Sequence, residues 1–127
     1  MIYKDEFHEI NIQNGIMICR VHVEKTITKD IAEHMINQRL RICNGKKFKT
    51  VLVYRGKVSF TREATKLLAA KGKEGISVVA IIFPNLINRT LGNFMLNTFY
   101  RRDEFPMKIF DNEVVAIEWI NSFDIES

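Results

Sequence analysis

Residues 76–83, Ile-Ser-Val-Val-Ala-Ile-Ile-Phe, limit most strongly what this chain can fold into. The run is apolar at every position but Ser77 and is rich in β-branched residues, with Gly75 before it and Pro84 after it. A strand that is apolar on both faces belongs inside a sheet, covered by helices on both sides. The remaining segments are therefore expected to be strands that extend this sheet and helices that cover it.

The composition permits such a core. Across 127 residues, 46% are hydrophobic and 27% charged, as in ordinary globular proteins. One domain spanning residues 1–127 is expected. No apolar run approaches the ~20 residues of a membrane span. The opening stretch, with Asp5, Glu6 and Glu9, lacks the apolar core of a signal peptide, so a cytoplasmic location is the expectation. Cys19 and Cys43 lack a metal-binding or redox spacing and are expected to be reduced, buried thiols.

Upstream, residues 6–24 read as a β-hairpin turning at Asn14-Gly15. A two-residue loop pairs positions whose numbers sum to 29. That register places His8, Ile10, Ile12, Met17, Cys19, Val21 and Val23 on one face, and Glu9, Asn11, Arg20 and His22 on the other. Glu9 then faces Arg20, an expected cross-strand ion pair. Ile16 and Ile18 break the polar face, which predicts a helix over part of it.

Thr28 is placed to cap a helix running to Cys43, with Ala32, Met35, Ile36, Leu40 and Cys43 as its apolar stripe and Asn44-Gly45 as its stop. Thr50–Tyr54 is a buried strand, and residues 55–61 form a loop into a helix ending near Gly72. A third helix is expected over 85–102, a short edge strand over 107–110, and a last helix capped by Asp111, with Phe110 and Val115 as a hydrophobic staple. The order is β, β, α, β, α, β, α, β, α. It implies an α/β fold with a leading hairpin and a mixed, mostly parallel sheet with four helices.

This order, the run 76–83 and the segment Phe110-Asp111-Asn112-Glu113-Val114-Val115-Ala116-Ile117-Glu118-Trp119-Ile120 together resemble small bacterial SpoIIAA-like proteins of the STAS superfamily. The shared pattern is F-D-x-E-x-x-A-x-x-W-[IL]. The resemblance implies a non-enzymatic module for protein interaction or regulation. In the anti-sigma-factor antagonist branch, a serine opening the second core helix is phosphorylated, typically after an aspartate. Here the matching stretch holds Ser59 and Thr61, Val58 precedes Ser59, and Arg55 and Lys57 are close by. Other SpoIIAA-like chains resemble the lipid-binding lobe of CRAL-TRIO proteins, which implies an apolar, lipid-like ligand as the alternative.

Two candidate sites follow. The first is a phosphoacceptor or anion site at Arg55, Lys57, Ser59 and Thr61, where strand ends and a helix N-terminus meet. The plainer account is that a hydroxyl merely caps the helix. The second is an apolar surface of the third helix, at Leu91, Phe94, Met95 and Phe99. It is read as core, as a homodimer face, or as one wall of a ligand pocket between that helix and the sheet.

Charge is uneven: residues 39–73 hold eleven Lys or Arg and one acid, while residues after Lys108 hold five acids and no base. The expected topology splits the basic stretch between two ends of the molecule and no aromatics interleave it, so nucleic acid is not expected as a partner. His8, His22 and His34 have no shared ligand spacing, so no metal is expected, and no cofactor motif is present.

Overall fold

The computed structural model describes residues 2–23, 26–99 and 105–123, and of 94–99 only the helical backbone. Six strands form the main sheet in the order β1-β2-β3-β5-β7-β8. They are β1 (Tyr3–Lys4), β2 (His8–Gln13), β3 (Ile16–Val21), β5 (Phe48–Tyr54), β7 (Ile76–Ile82) and β8 (Met107–Phe110). The first three run antiparallel and the remaining pairings are parallel. A second, two-stranded sheet joins β4 (Thr26–Ile27) to β6 (Ser59–Phe60). The helices are α1 (Lys29–Cys43), α2 (Arg62–Lys71), α3 (Leu86–Phe99) and α4 (Glu113–Asn121).

The expected hairpin register is the observed one, with His8 opposite Val21 and Ile12 opposite Met17. Asn14 and Gly15 both take positive φ, at 53° and 78°, as a tight two-residue turn requires. Cα pairing does place Glu9 against Arg20, but the expected ion pair is replaced. Arg20 instead reaches Glu113 at the start of α4, 2.7 Å away, and the Glu9 carboxylate lies 3.9 Å from His22 Nε2. The helix arriving over this face offers Arg20 a carboxylate that a two-strand argument could not include.

Helix α4 is also the cover that Ile16 and Ile18 called for. Both are buried with Val51, Val53, Ala80 and Ile82 under Ala116 and Ile120. On the opposite face, α1 and α2 pack over Val21, Tyr54 and Phe83 through Ala32, Met35, Ala64 and Leu68. Strand β7 is thus apolar on both faces because both are covered. It lies off-centre, fifth in the order, and β8 is the edge strand beyond it.

Three expectations need correction. Asn112, not Asp111, caps α4, accepting from Val115 N at 3.0 Å. That shift of one residue removes the staple: Val115 is 46% exposed, while Phe110 packs in the cluster that holds Ala116. Arg39, counted with the surface cations, is 5% exposed and donates to the carbonyls of Glu74 (2.7 Å) and Gly72 (2.9 Å) just past the end of α2. Helix C-termini leave carbonyls without intrahelical partners, and a guanidinium fork satisfies two acceptors at once.

Candidate functional site

The parallel strands are added in one direction, so the main sheet has no reversal of strand order to open a crevice. The accessory sheet makes the recess instead. Strands β4 and β6 follow β3 and β5, and their parallel pairing holds the two loops side by side, with Thr26 Oγ1 2.8 Å from Ser59 Oγ. Below them Tyr54 stacks on Phe83 at 4.8 Å between centroids and meets Phe60 edge-on. These aromatics give the loops a rigid floor.

Helix α3 closes the other side. Asn85 accepts from the backbone N–H groups of Ile87 and Asn88. Arg89 donates to the carbonyls of Phe83 and Pro84, securing the turn into the helix. Asn88 is buried, donating to Val58 O at 2.7 Å and accepting from Val58 N at 3.4 Å. One side-chain amide thus ties helix α3 to the loop of residues 55–58. Farther along, α3 lies close on the sheet at Gly92, where a Cβ would come within 2.7 Å of Ile109 Cδ1 and 3.0 Å of Phe83 Cε2.

Between these parts lies an open groove of about 400 Å³, lined chiefly by Thr26, Lys57, Ser59, Ile87, Asn88 and Leu91. It unites members of both sites expected from sequence: Ser59 and Lys57 from one, Leu91 from the other. Arg55 is exposed and does not line the groove. Thr61 is occupied elsewhere: its Oγ1 accepts from Ala64 N at 3.1 Å and its carbonyl from Thr65. Leu86, Ile87 and Leu91 stand 67%, 62% and 55% exposed. The side chains of Phe94, Met95 and Phe99, and all of residues 100–104, lie outside the described residues.

The space beside α3 is therefore a groove open to solvent. The more enclosed cavity, about 50 Å³, sits under α1 and α2, where residues including His8, Cys19 and Arg39 line it. Burial pushes the Cys19 thiol up to about 12, against the pull of Arg39, so it is a neutral packing group. At the opposite end of the sheet, Lys47 and Lys73 flank the start of β7, far along the strand from Lys57. Among the described residues no group of three His, Cys, Asp or Glu is placed to hold a metal ion.

Sequence reasoning missed a second polar centre at Asp5. Its carboxylate accepts from the backbone N–H of Phe7 (2.8 Å) and His8 (3.0 Å), from Tyr3 OH (2.8 Å) and from His34 Nε2 (2.5 Å). His8 Nδ1 lies 3.2 Å away. Burial opposes ionisation, but the bonds from His34, the two amides and Tyr3 outweigh it and hold the carboxyl well below the usual range. His34 of α1 is thereby bonded to the loop after β1. The three-residue spacing of Asp5 and His8 is that of a side chain closing a local turn, but nothing local points to His34.

Residues 10–124 match the model of a domain of unknown function, DUF7793. The chain belongs to this family. No curated protein matches it. A solved structure of similar fold is that of an uncharacterized DUF3478-family protein from Shewanella loihica PV-4, described as having a SpoIIAA-like fold. The two are 17% identical, the match covers 93% of this chain and 98% of the other, and the TM-score is 0.60. This DUF7793 chain therefore has the SpoIIAA-like fold that its strand order and C-terminal segment resembled. Among the described residues no helix is long and apolar enough to cross a membrane.

Proposed function

We propose that this protein is a cytoplasmic, non-enzymatic interaction module whose docking surface is the groove between β4–β6 and α3. The supporting observation is the exposure of Leu86, Ile87 and Leu91 beside a recess pinned by the Asn88–Val58 bonds. Clustered large apolar side chains on a surface mark a place where another surface fits. Apolar anchors at the rim, with hydroxyls and an amide in the groove, suit a protein segment that brings its own backbone polar groups. Lys57 adds one positive charge to the lining.

Ser59 is the position through which docking would be regulated. It is exposed in the groove and, among the described residues, its hydroxyl bonds only to that of Thr26, whereas Thr61 is committed to its helix cap. A phosphate there would add charge and bulk where the partner seats.

The test is a photo-crosslinking residue at Leu91 in the full chain, expressed in its own cells, with Val114 as an exposed apolar control on α4. The expected result is a discrete adduct from Leu91 that is absent from Val114 and is abolished by Ile87→Ser. An adduct of twice the chain mass would identify the partner as a second copy. Indistinguishable patterns from the two positions would refute the groove.

A further inference from the structure

The end of the sheet remote from the groove is strongly basic. Residues 41–49 and 71–77 hold six cations, Arg41, Lys46, Lys47, Lys49, Lys71 and Lys73, against one carboxylate, Glu74. These are separate stretches of sequence, and the fold joins them. Helices α1 and α2 both end here, at Asn44 and Gly72. Phe48 N donates to Gly75 O at 2.9 Å, tying the loop after α1 to the loop after α2. Arg39 braces the second loop from within, through the carbonyls of Gly72 and Glu74.

Helix dipoles account for only part of this charge. A cation in the last turn complements the carbonyl end of a helix, which explains Arg41 and Lys71. Lys46, Lys47 and Lys49 lie beyond α1, and Lys73 lies beyond α2. Among the described residues, none of Arg41, Lys46, Lys47, Lys49 and Lys71 forms an ion pair. One carboxylate leaves most of the mutual repulsion uncompensated, and such a field draws an anionic partner.

Lys47 and Lys73 line an open recess of about 760 Å³ at the start of β7, together with the exposed Ala70 and the half-buried Phe105. We propose that this recess receives an acidic polypeptide segment, with its carboxylates on the lysines and an apolar side chain against Ala70 and Phe105. Shape and chemistry both favour a peptide chain. An anionic bilayer also draws clustered lysines, but it is flat and would leave the recess empty. Single-stranded nucleic acid gains much of its hold by stacking successive bases, and Phe105 is the one aromatic among the described lining residues. Five of the six cations are lysines, whose flexible ammonium groups meet carboxylates without a fixed geometry. The surface stands apart from the groove and does not depend on its function.

The test uses the full chain and a fluorescein-labelled, glutamate-rich peptide carrying one phenylalanine, read by fluorescence anisotropy at low ionic strength. Two double variants of equal net charge are compared: Lys47→Glu with Lys71→Glu at this end, and Arg55→Glu with Arg62→Glu at the other. All four side chains are exposed. The expected result is binding that weakens as salt is added, falls by about tenfold or more in the first variant and stays within about twofold of the unaltered chain in the second. Equal losses in the two variants would mean attraction by net charge alone and would overturn the proposal, as would an absence of binding. Phosphatidylserine vesicles or poly-uridine RNA held more tightly than the peptide, with the same dependence on Lys47 and Lys71, would overturn the class of partner.

Discussion

Helices α1 and α3 both pack on the face of the sheet opposite α4, yet they are built differently. Helix α1 has a capping side chain at Thr28, a left-handed Asn44 at its end, and His34 bonded to Asp5 across the molecule. Ala32, Ile36, Arg39 and Cys43 are its buried residues. Helix α3 buries a polar residue, Asn88, near its start, while Leu86, Ile87 and Leu91 face water. Each helix buries a polar side chain, Arg39 in α1 and Asn88 in α3, but of the two only α3 turns large apolar side chains to water. The difference teaches where to look for a docking surface: α1 keeps its large apolar side chains covered, and α3 does not.

Breaking the polar centre beside α1 should have the largest effect. Asp5→Ala removes the acceptor for Tyr3, Phe7, His8 and His34 and should cost about 3 kcal/mol in urea unfolding, since bonds to a charged group are the strong ones. A loss below about 1 kcal/mol would mean that water replaces the carboxylate. Asn88→Ala strands both polar groups of Val58 and should cost about 2 kcal/mol. It should also speed amide exchange in residues 55–61 while leaving α1 protected, which separates the two regions directly.

Gly92→Ala tests how tightly α3 sits. The added methyl meets Ile109 and Phe83, while alanine favours the helix by about 1 kcal/mol. Overpacking costs about 1–3 kcal/mol, so a net loss of about 1 kcal/mol is expected in thermal melts. Leu91→Ser should change stability by less than about 0.5 kcal/mol, because its side chain is already largely in water. A larger loss would make Leu91 part of the core and weaken the contrast between the helices.

A pH series sharpens the same comparison. His8 is held below its ordinary 6.5 by burial, so the unfolded chain takes up a proton there first. Stability should therefore fall as pH drops below about 6.5, and level off once folded His8 also protonates. Asp5 adds a second loss below about 4, where the unfolded carboxyl protonates while the folded one stays ionised. Among the described residues, the charged and titratable groups around His8 include Tyr3, Asp5, Cys19, His22, His34, Arg39 and Tyr54. Replacing His8 by Gln should abolish the upper step in denaturant midpoints.

Much of this was legible before folding was considered. Asn14-Gly15 set a turn of known length, and alternation along residues 8–21 admitted one register. The cap at Thr28 and the stop at Asn44-Gly45 depend on neighbours within four residues. Local geometry decides such features, so local sequence reports them. The misreading of Asp111 for Asn112 was of the same local kind, an error of one residue between two competent caps.

What tertiary structure decided involves partners distant in sequence. Arg20 chose Glu113 over Glu9, Arg39 found the end of α2, Asp5 found His34, and Asn88 found Val58. Strands β1, β4 and β6, of two residues each, are too short to carry an alternation pattern and exist only where another chain segment passes alongside. The groove depends on β4 and β6, so its location was hidden although Ser59, Lys57 and Leu91 had each been singled out. Sequence alone determined the core and the order of its elements, because burial periodicity and turn chemistry are local. Only the folded chain decided which polar groups meet, because a hydrogen bond depends on distance in space rather than along the chain.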